Sequence, residues 1–184
     1  MLLPIKEYLM KTTMTSIIAP HGMTDLIHAN KTNILPQLFT INAGSVLGGH
    51  ALHVTSHTEI LTAIFLICSV AHFRHDMPEI VKIPKYWFSA AMLPMFTTHI
   101  DLFYLYMLFI HVPNHYKMNW RYMQSNIKNN VMFMIFATIV FSIGGEIVFQ
   151  SFMNDYMLDM SKSVIIAHIL YEETFIHNKK ISIE

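Results

Sequence analysis

The sequence predicts an all-α fold, a polytopic transmembrane bundle of about six helices in one domain over residues 1–184. Three observations carry that expectation. Hydrophobic residues make up 53% of the chain and charged residues 13%, whereas soluble domains are about a quarter charged. The apolar residues form continuous runs rather than alternating ones, which favours helices over the strands of a β-barrel. Polar breaks separate the runs. Lipid is therefore the expected solvent, and an integral, multi-pass location follows. The formal net charge is zero, so no basic excess points to nucleic acid and no acidic run to a disordered tail. The stretch MLLPIKEYLMK lacks a basic region, an apolar core and a small-residue cleavage site in sequence, so no signal peptide is expected.

The apolar segments run, in order, over 13–29, 33–55, 58–73, 86–111, 130–153 and 156–177. The first is interrupted by His21, Asp25 and His28. The second carries His50 and His53, and the third is short and ends at His72-Phe73. The fourth, YWFSAAMLPMFTTHIDLFYLYMLFIH, and the fifth, VMFMIFATIVFSIGGEIVFQSF, are long enough to span a bilayer. Pro94 and Pro113 each remove a backbone donor and are expected to kink or end their helices. The last segment holds His168, Glu172 and Glu173. The stretches RHDMPEIVKIPK, YKMNWRYMQSNIKNN and NKKISIE read as polar breaks. Lys and Arg divide almost evenly between the two sides, so charge gives no orientation. The Gly-Gly pairs at 48–49 and 144–145 are expected to permit close helix packing, since no phosphate-binding pattern surrounds them. Cys68, the one cysteine, cannot form an intrachain disulfide and reads as a small core residue.

The unusual number is twelve histidines. Each buried imidazole brings two polar nitrogens that need partners, and ionisable groups inside spanning segments face a bundle interior or a wet cavity. His111 and His115 lie four residues apart at the end of the fourth segment. On a helix that spacing shares a face, so the pair could hold one ion or simply decorate a helix end. His21 follows a proline, His72 ends an apolar run, and His168 sits within one. Several segments thus each deliver an imidazole near an end or break. Imidazole suits iron, zinc, copper and nickel, and redox chemistry on an apolar substrate favours iron. His50, His53 and His57 also share a helical face, which leaves a second metal site and an interfacial stripe as alternatives.

In this order, the stretches resemble the Brp/Blh family of membrane-embedded β-carotene 15,15′-dioxygenases. The first motif is Pro20-His21-Gly22 with Asp25. The second is Ser69-Val70-Ala71-His72-Phe73 with Asp76, and the third is FYLYMLFIHVPNH. VFSIGGEIVFQSF and IIAHILYEE match later helices. The resemblance implies Fe(2+) held by His21, His72, His111 and His115, with Asp25 and His168 orienting ligand imidazoles. It implies carotenoid and dioxygen as substrates, a lipid bilayer as surroundings, and cleavage of the central double bond of β-carotene to retinal. No acid–base residue is needed. Phe73, Tyr104 and Phe109 are candidates for a substrate tunnel or for plain packing.

The sequence also departs from the family. Arg74 stands where glycine usually follows His-Phe. Val112, Pro113 and Asn114 replace the usual Ser, variable residue and Arg. Only 39 residues lead from His72 to His111, which predicts a shortened tunnel, and Pro113 could turn His115 off the shared face. Two rivals follow. One is a catalytically degenerate or non-enzymatic membrane metal-binding or transport protein. The other is a di-metal membrane hydroxylase or desaturase, against which the absence of an HxxHH cluster counts.

Overall fold

The structure, a computed structural model, describes residues 17, 19–76, 84, 87, 90, 91, 102, 105–151 and 155–177. Among them every regular element is helical and none is a strand. Most of the expected segment 86–111 lies outside the described residues, and with it Pro94, His99, Asp101 and Tyr104. The chain forms two compact units. The first draws on Met1–Asn33 and Ile100–Met153, the second on Ile34–His99 and Asn154–Glu184. Each is discontinuous in sequence, so no linker marks the division.

In the first unit, the short α1 (Ala19–His21) leads into α2 (Thr24–Lys31). Asn33, at φ 57°, turns the chain after α2; asparagine tolerates this left-handed conformation better than most residues. A π-helical turn, Met107–His111, runs directly into α5 (Val112–Gln124), followed by α6 (Ile127–Ser151). Helix α5 packs against α1, α2 and α6. Its first half of YKMNWRYMQSNIKNN was expected to be a polar break, and the structure makes it helix. The reason is amphipathicity. Val112, His115, Asn119 and Met123 recur at three- and four-residue spacing and form the buried stripe. Met123 joins Ile27 and Met134 in a small core, with Met23, Tyr116 and Phe133 packed on it.

In the second unit, α3 (Leu35–Val54) and α4 (Thr58–Phe73) pack against α7 (Asp155–Glu172). Proline is tolerated at Pro36 because it falls in the first turn of α3, where no helical partner is lost. Gly49 lets α3 and α7 approach: a Cβ added there would collide with Ser163 Oγ and stand 2.9 Å from Ser163 Cβ. The expected close packing thus holds at Gly49. It does not hold at Gly48 or Gly144, where an added Cβ meets open space. A 3-10 turn, Arg74–Asp76, follows α4, and a second π turn, Glu173–His177, follows α7.

Among the described residues one helix is long and apolar enough to cross a membrane, over Ile127–Gly144 of α6, and only 11% of that stretch is buried. Of the other expected spans, 86–111 lies mostly outside the described residues, and the rest fall short for separate reasons. Helix α2 has eight residues and α4 sixteen, against the roughly 20 that a span requires. Polar and charged side chains dilute α3 and α7.

Candidate metal centres

In the first unit His21, His111 and His115 come together. Each offers a ring nitrogen within 4.8 Å of the others, and all three side chains are buried. The ring centroids of His111 and His115 lie 4.6 Å apart, and those of His21 lie 5.3 Å from His111 and 4.9 Å from His115. Pro113 does not turn His115 away. It occupies the first turn of α5, where a missing N–H costs least. The distortion falls in front of it, in the π turn, where Val112 N–H donates to the Met107 carbonyl five residues back.

A hydrogen-bonded chain fixes this trio from behind. Asn119 Nδ2 donates to Thr24 Oγ1 over 3.0 Å, and Thr24 Oγ1 donates to the His21 carbonyl over 2.8 Å. Asn119 and Thr24 are each only 1% exposed, so little water competes with these bonds. Asp25, expected to orient a ligand, is buried on α2 one residue beyond Thr24. Sequence reasoning missed Thr24 and Asn119. The signal for Asn119 was its register: it continues the face of His111 and His115 by one further step of four.

His72 and His168 belong to the second unit. Their ring centroids are 5.6 Å apart, and His72, His168 and Glu172 offer ligand atoms within 4.8 Å of one another. The same limit holds for His72, Glu173 and His177. Glu172 is fully buried. The Arg74 guanidinium donates to Glu173 Oε2 over 2.7 Å, and His75 Nε2 lies 2.9 Å from Glu173 Oε1. Burial pushes the Glu173 carboxyl up, but its contact with His75 and the charges of His75, Arg74 and His177 outweigh this and hold it below the ordinary range. Asp76 is buried at the end of the 3-10 turn.

The stripe of His50, His53 and His57 forms no ligand cluster among the described residues. His53 Nδ1 instead pairs with Asp159 Oδ2 at 2.9 Å, and Lys162 Nζ bonds both Asp159 Oδ1 and Thr62 Oγ1 at 3.0 Å. His50 and His53 meet the edge of Tyr156. His57 is exposed at the start of α4. Of the tunnel candidates, Phe73 is buried and Phe109 exposed.

The fold and these clusters define, among the described residues, a helical protein with buried His and His/Glu groups that could hold metal ions and one helix of membrane-spanning length. Comparison of the chain with protein-family models, curated proteins and solved structures finds no match.

Proposed function

We propose that the chain is a membrane-bound non-haem iron dioxygenase that cleaves the central double bond of a carotenoid, as the Brp/Blh resemblance implies. The buried trio of His21, His111 and His115 is the observation that carries this reading. Three imidazoles within reach of one another fit a first-row divalent ion and leave coordination positions open. Iron there supplies the binding and activation of dioxygen. The overall reaction balances without a further reductant: the carbon–carbon double bond breaks, and each half takes one oxygen atom of O2 as an aldehyde. The chain's own part is to place the imidazoles, exclude water and hold the polyene. An apolar cleft of 270 Å³ between α5 and α6, lined by Tyr116, Met123, Val131 and Met134 among others, is smaller than ligand pockets of about 300–1,000 Å³. It suits part of a polyene, and so a shorter apocarotenoid over full-length β-carotene.

The membrane reading draws on exposed apolar surface. Met132, Phe136 and Ile143 of α6 are exposed, as lipid contact requires. Ile60, Ile64 and Ile67 form a second exposed stripe on α4. The resemblance adds His72 as a fourth ligand; within its own unit that residue keeps carboxylate-rich company. The deciding experiment is expression in a host that accumulates β-carotene, with pigment extraction and iron analysis of the detergent-purified protein. Retinal together with bound iron supports the reading. Bound iron without retinal from any carotenoid makes the chain a metal-binding protein, and recovery as a soluble monomer without detergent sinks the membrane assignment.

A further inference from the structure

The second unit carries a ligand set of different chemistry, and it is assembled where two helices end. Helix α4 delivers His72 in its last turn, and the 3-10 turn after it delivers Arg74 and His75. Helix α7 delivers Glu172 and then opens into the π turn Glu173–His177. A π turn aligns residues five apart rather than four, which sets His177 over Glu172. Glu172 Oε2 accordingly lies 3.9 Å from His177 Nε2 and 3.8 Å from His72 Nε2. His75 and His177 stack with centroids 3.6 Å apart and planes 2° from parallel, which fixes the His177 ring.

We propose that His72, Glu173 and His177, backed by Glu172, bind a divalent first-row cation of their own. The donor set is two imidazoles and a carboxylate, which suits zinc or ferrous iron. Its ligand atoms lie within 4.8 Å of one another. On a tetrahedral ion with bonds of about 2.0–2.1 Å, neighbouring donors stand about 3.3 Å apart, so a small inward movement completes the set. Charge favours a cation as well. Glu172, fully buried, and Glu173, half-buried, bring two carboxylates to the junction, where Arg74 and His75 pair with Glu173; a cation between the two carboxylates adds to that compensation. Arg74 takes Glu173 Oε2, so it orients the carboxylate as outer partners of metal ligands do. This accounts for Arg74 at a position where glycine was expected. The proposal rests on the second unit alone and does not require carotenoid cleavage; it takes His72 for this site and leaves the iron of the first unit to His21, His111 and His115.

The test is metal stoichiometry of the full chain in detergent, loaded with Zn2+ or, anaerobically, with Fe2+, desalted, and measured by elemental analysis. The expected result is about two equivalents per chain, falling to about one in Glu173→Gln and in His177→Ala, with the remaining equivalent removed by adding His111→Ala. Glu173→Gln keeps the side-chain shape, and an unchanged circular dichroism spectrum separates ligand loss from misfolding. His57→Ala is the control and leaves both equivalents in place. A wild-type stoichiometry of one, or two equivalents that persist in both Glu173→Gln and His177→Ala, overturns the proposal. Retinal production is scored separately, so its absence bears on the dioxygenase reading and not on this site.

Discussion

Both units use one backbone device and obtain different chemistry from it. In each, a π turn of five residues ends on a buried histidine, His111 in the first unit and His177 in the second. Residues five apart are brought into register by such a turn. In the first unit this pairs His111 with Tyr106, whose rings run near parallel with centroids 6.5 Å apart. In the second it pairs His177 with Glu172. The neighbours then follow suit. His111 is surrounded by His21 and His115, all nitrogen, whereas His177 is surrounded by two carboxylates and the imidazoles of His72 and His75. The backbone therefore places the imidazole, and the residue five positions earlier helps to set what kind of ligand shares the space.

The largest expected effect breaks the first half of that comparison. His115→Ala or His111→Ala removes a nitrogen from a three-imidazole set, so the iron of that set is lost and retinal formation falls below detection in the β-carotene host. The same assay on Glu173→Gln shows whether the carboxylate cluster can be altered while the imidazole trio keeps its iron. A His115→Ala protein with full iron and full turnover would falsify the assignment of that residue.

A smaller effect is expected from Asn119→Ala, which removes the donor to Thr24 and frees the His21 turn. Loss of an outer partner typically weakens metal binding about 10–100-fold. Chelator competition measures this, and an Asn119→Gln protein that fails to recover affinity would fit a requirement for the shorter reach. Unchanged affinity in Asn119→Ala would mean that the trio is held by packing alone.

Next comes Gly49→Ala. The added methyl has no room against Ser163, and overpacking costs about 1–3 kcal/mol. The thermal midpoint in detergent should drop while iron at His21, His111 and His115 is retained; the paired substitution Ser163→Ala should recover part of the loss. Equal loss of iron would show that the two units are not separable in stability.

The smallest effect is acid sensitivity at the junction of Arg74, His75 and Glu173. The Glu173 carboxyl is lowered from its ordinary 4.5, so its contribution to stability is complete above that value and is lost as pH falls through the lowered one. Hydrogen exchange of the metal-free protein over 74–76 and 173–177 should therefore be steady at neutral pH and rise only in stronger acid. Exchange that rises already near pH 6, about the range where histidine titrates, would assign the junction to histidine protonation instead.

Much of the helical layout was legible because apolar runs translate directly into helices. The segment 58–73 matches α4 residue for residue, and 33–55 matches α3 within a residue or two. What was not legible has identifiable causes. Helix α5 hid because its buried stripe contains His115 and Asn119 and is interleaved with Lys117 and Arg121, so that no continuous apolar run marks it. The spanning expectation rested on apolar content, but helix length and scattered charge, as in Asp159 and Lys162 of α7, decide whether a helix qualifies. The pairing of His111 with His115 was legible from spacing. The bond between Thr24 and Asn119 was not, since a hydrogen bond across 95 residues of sequence leaves no local trace and the register of Asn119 marks only its helix face. Glu172 and His177 escaped for a different reason: spacing rules for helices look four residues ahead, and these two are aligned by a turn that counts five.

That count has a consequence for how the chain can change. An α-helix advances about 100° per residue, so deleting one of the four residues at 107–110, ahead of His111 in the π turn, restores ordinary pitch and swings the chain before it by that angle relative to α5. The imidazoles of His111 and His115 would keep their mutual spacing, yet Tyr106 and the chain leading to it would point elsewhere. One codon in this turn thus acts as a phase setting between the metal ligands and whatever precedes them, and a one-residue deletion there should re-aim the approach to the trio without removing a single ligand.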